Sequence, residues 1–321
     1  MDYSKIIKEI GRGKNHACDL DQATAYELYK AMLAGQVPAL ELGGILIAFR
    51  IKGESNQEIL GFYQAMQEQV MPLRAPQGRP LPVVIPSYNG ARKHANLTPL
   101  LALLLSRLSL PVVVHGVTDG GSRVTSAEIF QQLNIPWSLS AHEAQQRLDN
   151  GLPVFIPVST LSAQLDQQLQ QYWRMGVRNS SHTLAKLATP FIHDKALRLA
   201  SVSHPEYMQK VGDFFQVIRA PALLQQGTEG EIYANPFRCP LIYHINDGEQ
   251  SILLERQQAA NEPELPPSKA AAITARWIDA CLAGEQPIPD AILKQAACCL
   301  VVAGLAESVE QGLQQMGSTL L

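Results

Sequence analysis

The sequence lacks three features that would narrow its function at once. No run approaches the ~18 consecutive apolar residues of a membrane-spanning helix, and the longest such stretch, residues 100–105, fits a buried helix. Residues 1–5 show no basic flank ahead of an apolar stretch, so we expect no signal peptide and a cytoplasmic protein. Basic residues are not in excess either, since 26 Lys and Arg face 29 Asp and Glu. Binding to nucleic acid would therefore require a local basic patch.

Cysteine is also scarce, and its spacing excludes the common metal motifs. The five cysteines form no C-x-x-C pair: Cys18, Cys239, Cys281, Cys298 and Cys299. Adjacent side chains on a helix point about 100° apart, which makes Cys298 and Cys299 poor joint ligands. We therefore expect free, buried thiols and no metal site, and no Ser-His-Asp or Cys-His arrangement is readable.

Apolar residues follow two different patterns along the chain. Residues 1–70 carry helical periodicities, and a stretch rich in proline and glycine follows, of which residues 71–79 are the predicted linker. Short apolar runs at residues 81–85, 111–115 and 154–158 then alternate with helical patterns. This alternation predicts an α/β domain with a mainly parallel sheet and helices on both faces.

Later patterns extend both element types. Residues 197–202 and 222–225 are further strand candidates, and residues 164–177 read as a helix. Two long helical patterns cover residues 267–284 and 289–315. Ser55 and Ser140 each precede a glutamate by three residues, which predicts two capping boxes.

Several stretches resemble one enzyme family. Residues 174–190, RMGVRNSSHTLAKLATP, are similar to the motif LGxRTxFNxLGPLxNP of anthranilate phosphoribosyltransferase. Val114-His115-Gly116 resembles its KHG, and Asn96-Leu97-Thr98 resembles its NIST. Asp2-Tyr3, GRGKNH (11–16), PSYNGARK (86–93) and GTEGEIY (227–233) look like a divergent second branch of that family, the YbiB type.

The resemblance covers nearly the whole chain and carries expectations. It implies a nucleoside phosphorylase-like fold with a small helical domain at residues 1–70, joined by a helical return at about residues 161–187. Residues 80–158 and 190–321 form the large α/β domain. It also implies a homodimer through the small helical domain, and binding of nucleic acid by the divergent branch.

The family's reaction displaces pyrophosphate from phosphoribosyl pyrophosphate. Holding its phosphates requires a glycine-rich loop and magnesium. The family's loop GTGGD corresponds here to residues 86–90, in which one glycine remains and Pro86 removes a backbone donor. The family's lysine before His-Gly is Val114, and no arginine stands at position 172 or 173. Several motif positions of one site are thus altered, and whether the protein is an enzyme stays open.

A residual ligand cleft is still conceivable from what remains. Its candidates are Asn89, Gly90, Asn96, Thr98, His115, Gly116, Ser122 and Thr125. Asn96 and Thr98 are equally compatible with a helix cap, His115 with a core histidine, and residues 118–126 with an ordinary turn. Glu229 and Glu231 are weak candidates for magnesium ligands. The simpler interpretation is that they are solvated loop carboxylates. No cofactor is expected, except magnesium if transferase activity persists.

Basic residues are clustered in the N-terminal helix, in the segment that replaces part of the phosphate loop, and in the helical return. Lys5, Lys8 and Arg12 share a helical spacing, and Arg174, Arg178, His182 and Lys186 recur every four residues. Tyr88, Tyr172 and Trp173 offer aromatic faces for stacking. The predicted nucleic-acid-binding residues are Lys5, Lys8, Arg12, Lys14, Arg92, Lys93, Arg174, Arg178 and Lys186.

Two hypotheses follow from these residues. The first is sequence-nonspecific binding of single-stranded DNA or RNA by a homodimer, since no helix-turn-helix, zinc-finger or RRM signature is present. The alternative is a divergent phosphoribosyl- or glycosyltransferase with a phosphorylated ribose donor and an unknown acceptor.

Overall fold

The computed structural model describes residues 1–13, 15–203, 206–258 and 262–320. The chain divides into two compact units, of which the first comprises Met1–Met71 and Val158–Pro190 and the second Pro72–Pro157 and Phe191–Leu321. Secondary-structure elements are numbered along the chain. Within the described ranges, no helix is both long and apolar enough to span a membrane.

The first unit is entirely helical. Its helices are α1 (Tyr3–Ile10), α2 (Gln22–Leu33), α3 (Ala39–Lys52), α4 (Asn56–Gln67), α8 (Val158–Leu161), α9 (Ala163–Met175) and α10 (Ser181–Leu187). Side chains of Asp21 and Ser55 cap α2 and α4, and Ser55 forms the predicted capping box with Glu58. These caps satisfy backbone N–H groups that a helix start leaves without partners.

The core of this unit depends on a close approach of α2 and α4. Gly61 lies so near the α2 backbone that a Cβ atom would stand 2.4 Å from the carbonyl oxygen of Gln22. The Phe62 ring stacks on Tyr29 at a centroid distance of 5.0 Å and meets Phe49 edge-on at 5.1 Å. The Tyr29 hydroxyl reaches Ser181 Oγ of α10 at 2.8 Å, so residues after 158 complete this core.

The helix α3 is apolar around its circumference. Its inner face buries Ile45, Leu46 and Phe49, whereas Leu40 is 86% exposed and Ile51 60% exposed on the outside. Gly44 faces Ile7, and nothing lies within 4 Å of a Cβ built on Gly43. A helix with apolar residues on every side is typical of a fully buried environment.

The second unit contains a seven-stranded sheet and helices. Its strands are β1 (Val83–Ser87), β2 (Val112–Gly116), β3 (Val154–Pro157), β4 (Leu197–Val202), β5 (Ala222–Gln226), β6 (Arg238–Cys239), β7 (Ile242–Asn246), β8 (Glu249–Leu254) and β9 (Gln257–Gln258). Its helices are α5 (Thr98–Arg107), α6 (Ser126–Gln132), α7 (Ala141–Asp149), α11 (Glu206–Val217), α12 (Ala271–Leu282), α13 (Asp290–Val302) and α14 (Val309–Leu320).

The strand order is β3-β2-β1-β4-β5-β7-β8, and β6 pairs with β9 separately. The first five strands are parallel, as predicted, and β7 and β8 are antiparallel additions at one edge. The order reverses between β1 and β4, which is a topological switch point. Loops that follow the carboxyl ends of the strands meet there, and such crevices are the usual ligand sites of open sheets.

Some predicted elements are wrong in detail. Residues 289–315 form two helices, because Gly304 adopts a φ of +72° between α13 and α14. The β7–β8 hairpin was not predicted, although its Asp247-Gly248 turn, with both φ angles positive, is a recognisable signal. Ser140 caps α7, but Glu143 accepts the N–H of Leu139 and the capping box is incomplete.

Candidate functional site

A buried carboxylate lies at the switch point, beneath the loop that follows β1. The Glu231 side chain, only 1% exposed, comes from the loop after β5. Its Oε1 accepts the backbone N–H groups of Asn89 at 2.8 Å and Gly90 at 2.7 Å. Its Oε2 accepts the hydroxyl groups of Ser87 at 2.7 Å and Thr98 at 3.2 Å. Four donors therefore surround one buried carboxylate, which offsets the cost of removing it from water.

Further polar groups support this arrangement. Because the Ser87 hydroxyl donates to Glu231, the Ser126 hydroxyl must donate to Ser87, at 2.7 Å. The side-chain amide of Asn96 donates in turn to Ser126 at 3.1 Å. The chain of hydrogen bonds thus points in one direction, toward the carboxylate.

A second carboxylate from the same loop occupies the next group of backbone donors. Glu229 accepts the N–H groups of Arg92, Lys93 and His94. Burial opposes ionisation of Glu229, but these three donors outweigh it and lower the pKa of the carboxyl group. Consecutive N–H groups that converge on one anion form the kind of concavity that binds phosphate in other proteins.

The residue between the two glutamates must be glycine. Gly230 has a φ of +87°, and a Cβ atom there would stand 1.5 Å from the side-chain nitrogen of Asn89. That nitrogen donates to the carbonyl oxygen of Glu229 at 3.1 Å. Gly230 therefore lets the loop after β5 approach the loop after β1 closely enough for both carboxylates to reach their donors.

The interpretation of these glutamates as solvated carboxylates is wrong. Glu231 is fully buried and Glu229 is only partly exposed, because both are held by backbone donors of residues 89–94. Among the described residues, no group of three or more His, Cys, Asp or Glu side chains could hold a metal ion. Most of the remaining cleft candidates are buried within the fold, and Ser122 is exposed.

Asn96 and Thr98 are fully buried at the start of α5. The Oδ1 atom of Asn96 accepts the N–H of Thr98 at 3.1 Å, but Leu97 is the N-cap of α5 and no side chain caps this helix, so the helix-cap interpretation is wrong. His115 is buried in β2 with its Nδ1 atom 2.8 Å from the Tyr88 hydroxyl. Tyr88 is itself buried and unavailable for stacking. A Cβ atom on Gly116 would collide with the carbonyl oxygen of Ser87 at 1.8 Å.

The loop before α6 is an ordinary turn. Thr125 is buried and forms a capping box with Glu128. Asp119 Oδ1 accepts the N–H of Gly121 at 2.7 Å, so an acidic side chain already takes a donor of the predicted anion nest. Ser122 is exposed, and its carbonyl oxygen accepts the Lys269 ammonium at 2.9 Å.

The predicted basic residues of α1 are exposed but not equivalent. Lys5 and Lys8 lie on the helix, whereas Arg12 follows its end and pairs with Glu9 at 2.6 Å. Lys14 lies outside the described residues. Lys52, at the end of α3, is committed to Asp19 at 2.6 Å and to buried Glu58 at 2.7 Å.

The basic residues of the return segment are not on one helix, contrary to the four-residue spacing. Gly176, with a φ of +71°, ends α9, and α10 begins at Ser181. Arg174 is therefore an exposed residue of α9, Arg178 lies between the helices and Lys186 belongs to α10. The three residues do not form a continuous stripe.

Three cations nevertheless lie near enough to His182 for their charges to act on it. Burial, followed by the charges of Arg178, Lys186 and Arg50, lowers the pKa of His182 to about 4. His182 is consequently neutral near pH 7 and adds no positive charge, contrary to its place in the predicted basic series. We call Arg50, Arg178 and Lys186 the return cluster.

Aromatic side chains adjoin the return cluster. The Tyr172 ring meets His182 edge-on at 5.8 Å and Trp173 at 5.0 Å. Trp173 is 59% exposed, which is unusual for so large an apolar side chain. The first unit thus presents cations and an accessible indole ring in one region.

The second unit presents a separate basic segment. Arg92, Lys93 and His94 have exposed side chains, while their backbone N–H groups are fixed on Glu229. The carboxylate thereby orders the segment through its backbone, and the side chains of these three residues remain in solvent. The sequence locates these cations but not the carboxylate that organises them, since partners 135 to 137 residues apart leave no local signal.

Four of the five cysteines are buried, as predicted, but the prediction is wrong for Cys18, which is exposed. Burial raises the pKa of Cys239 to about 11 and those of Cys281 and Cys298 to about 12. These three thiols therefore remain protonated near neutral pH, which fits their role as small apolar core residues.

We expect Glu231→Gln to destabilise the second unit by at least about 3 kcal/mol, because an amide cannot accept from four donors. Urea denaturation followed by circular dichroism measures the effect. Glu255→Gln, at an exposed glutamate, is the matched control and should change the free energy of unfolding by less than about 0.5 kcal/mol. Equal stability of the two variants would contradict the role assigned to Glu231.

We expect His182→Asn to alter the pH dependence of unfolding. The pKa of His182 is about 4 when folded and about 6.5 when unfolded, so the unfolded chain takes up the proton first. The wild type should therefore lose stability relative to the variant as pH falls from about 6.5 to 4, by up to about 3 kcal/mol. Denaturation at several pH values tests this, and parallel curves would refute it.

Solved structures share the fold of this chain. Anthranilate phosphoribosyltransferase from Thermus thermophilus matches with a TM-score of 0.78 over 100% of this chain and 94% of that one, at 22% identity. The enzyme from Saccharomyces cerevisiae, in complex with PRPP and Mg, matches with a TM-score of 0.76 over 99% and 93% of the chains, at 14% identity. At these identities the similarity shows the fold alone.

The residues present here do not fit such a phosphoribosyl pyrophosphate and magnesium site. The N–H groups of Asn89 and Gly90, which would face a phosphate, donate to Glu231. The oxygens of Glu229 and Glu231, which would face a metal, accept those and other hydrogen bonds. Donors and acceptors of the expected site are thus paired with each other within the chain.

Sequence relatives extend over the whole chain. Residues 4–70 match the helical bundle domain of a glycosyl transferase family. The uncharacterized protein YbiB of Escherichia coli K12 is 56% identical over 316 residues, 98% of this chain and 99% of that one. Anthranilate phosphoribosyltransferase of Thermus thermophilus is 26% identical over 92% and 89% of the chains. The chain therefore belongs to the anthranilate phosphoribosyltransferase-like family.

Proposed function

We propose that the protein binds single-stranded DNA or RNA without base specificity. The observation that carries this proposal is the return cluster beside exposed Trp173, since Arg178, Lys186 and Arg50 all act on His182. Clustered cations bind phosphates through counterion release, and an accessible aromatic ring stacks with any base. Arg92 and Lys93 provide a second cationic segment on the other unit.

The internal pairing of the former phosphate loop supports binding over catalysis. A sugar pyrophosphate would have to displace Glu231, which is buried and accepts four hydrogen bonds. The same pairing leaves the side chains of residues 92–94 facing solvent. The loop therefore favours contacts with an external polyanion, and a transferase with a phosphorylated ribose donor is the less supported alternative.

A homodimer through α3 is part of this proposal. Leu40, Ile47 and Ile51 are spaced by seven and four residues, share one helix face and are all exposed. Burial of this face against a second copy would remove apolar surface from water. A two-fold axis would give the dimer two copies of the return cluster. Both would lie near the interface, because Arg50 adjoins Ile51 in the sequence.

We expect Arg92→Ala with Lys93→Ala to weaken oligonucleotide binding to a similar extent for all sequences. Fluorescence anisotropy between about 50 and 200 mM salt should show the slope of log Kd against log salt reduced by about 1.4, if each cation contacts one phosphate of a single strand. Lys195→Ala with Arg256→Ala, two exposed cations outside both basic regions, is the matched control.

The oligonucleotide titrations, together with calorimetry of phosphoribosyl pyrophosphate and magnesium, decide between the two functions. Wild-type protein that fails to bind oligonucleotides, yet releases heat on addition of phosphoribosyl pyrophosphate with magnesium, would support the transferase and refute the proposal. An unchanged salt slope in the double variant would instead exclude Arg92 and Lys93 from the interface.

We expect Ile51→Asp to convert the dimer into a monomer, because each two-fold contact would bury a carboxylate against its symmetry mate. Size-exclusion chromatography with light scattering measures the mass. Ile252→Asp, at a 51% exposed isoleucine of β8, is the matched control and should leave the mass unchanged. A wild-type monomer, or a dimer that persists in Ile51→Asp, would contradict this interface.

A further inference from the structure

An apolar pocket lies beside the basic segment of the second unit. It is shallow, with a cavity volume of about 50 Å³, below the range for small-ligand pockets, so a planar ring would lie across its mouth and be only partly enclosed. Its walls are mostly apolar and aromatic, and come from three stretches of chain: His94, Ala95 and Leu97; Thr228, Tyr233, Asn235, Pro236 and Phe237; Leu265 and Pro266. None of these residues belongs to the return cluster.

Two aromatic rings form adjacent walls of this pocket. The Phe237 and His94 ring centroids are 6.0 Å apart and their planes are tilted by 60°. Phe237 is 43% exposed, although the other phenylalanines of the described chain are buried in the core. An exposed ring at the mouth of an apolar pocket is available for stacking with a planar ligand.

The local sequence holds Phe237 in place. The Oδ1 atom of Asn235 accepts the N–H of Phe237 at 2.9 Å, which forms a tight turn around Pro236. The Asn235 carbonyl oxygen also accepts the N–H of Arg238 at 3.1 Å. The backbone that carries the ring is thus held in a turn, and Asn235, a lining residue, has a side-chain NH₂ group that can donate to a ligand.

The charges around the pocket indicate a ligand with one negative end. His94 belongs to both the pocket and the segment that carries Arg92 and Lys93. Arg238, directly after Phe237, is also exposed. Exposed Glu262 and Glu264 precede Leu265, another lining residue, in the chain. A phosphate attached to a bound ring is therefore expected on the Arg92 side and disfavoured along residues 262–264.

We propose that this pocket binds one base of a single-stranded nucleic acid, stacked on Phe237, with the adjoining phosphates on Arg92 and Lys93. This inference rests on the proposed function and assigns it a specific subsite. Glu229 contributes indirectly, because its carboxylate fixes the backbone from which the two cations and His94 project. The single NH₂ donor of Asn235 can meet a carbonyl oxygen or ring nitrogen on different bases, which is consistent with weak sequence preference.

The test compares two oligomers of equal phosphate number, oligothymidylate and its abasic analogue, by fluorescence anisotropy. Phe237→Ala should weaken oligothymidylate binding at least about fivefold and leave the abasic oligomer unaffected. Phe237→Tyr keeps an aromatic face and should restore binding. Ile252→Ala, another exposed apolar residue of the same unit, should have no effect, and unchanged thermal unfolding of each variant excludes misfolding.

The outcomes separate the subsite from the function. If the wild type binds neither oligomer, both the proposed function and the subsite are wrong. If Phe237→Ala binds oligothymidylate as tightly as the wild type does, the subsite is wrong and the function stands. If Phe237→Ala weakens both oligomers equally, the ring does not contact a base and the subsite is again wrong.

Photocrosslinking supplies an independent location for the base. Oligomers that carry 5-bromouracil should crosslink to the tryptic peptides 220–238 and 94–107, which contain Phe237 and His94. Crosslinks confined to peptides of the first unit, such as the one containing Trp173, would overturn the assignment.

Discussion

The hydrogen bonds between Glu231 and the loop after β1 hold that loop in place and occupy its hydrogen-bond donors. A carboxylate with 1% exposure is costly unless donors surround it, and here two backbone N–H groups and two hydroxyl groups do so. The donors are the groups that a phosphate-binding loop would offer to its ligand. Because they are satisfied within the chain, the loop is held by its own hydrogen bonds, while the side chains of Arg92, Lys93 and His94 face solvent.

This internal pairing shows how the loops of the fold can be held in place without a bound anion. The parallel sheet and its switch point depend on apolar packing of the strands, which does not require a bound pyrophosphate. Glu229 and Glu231 replace the anion from inside, so the crevice loops stay ordered. Meanwhile the charged and aromatic groups of the proposed interface lie on surfaces, where substitutions cost little stability and function can change readily.

The sequence predicted the fold well because apolar periodicity and motif order are distributed along the chain. β4, at Leu197–Val202, was anticipated to the residue. It predicted the site less well, because Glu229 and Glu231 pair with donors more than 130 residues away. The predictions for Tyr88 as a stacking ring and for His182 as a basic residue were wrong. Residue type alone does not reveal that the Tyr88 ring is buried and that the His182 imidazole is neutral. The glycine at position 176 was readable as a helix end and outweighs the regular spacing of basic residues around it.

Gly230 has a consequence for comparing relatives. Its position against Asn89 admits no side chain, so the loop after β5 can deliver its carboxylates only with the tripeptide Glu-Gly-Glu or a close equivalent. The three letters at 229–231, read together with the asparagine at 89, therefore form a compact diagnostic for homologues. Sequences that carry both features are expected to have a self-filled crevice, whereas those with a free glycine-rich loop and a different pattern after β5 are expected to keep it open for substrate.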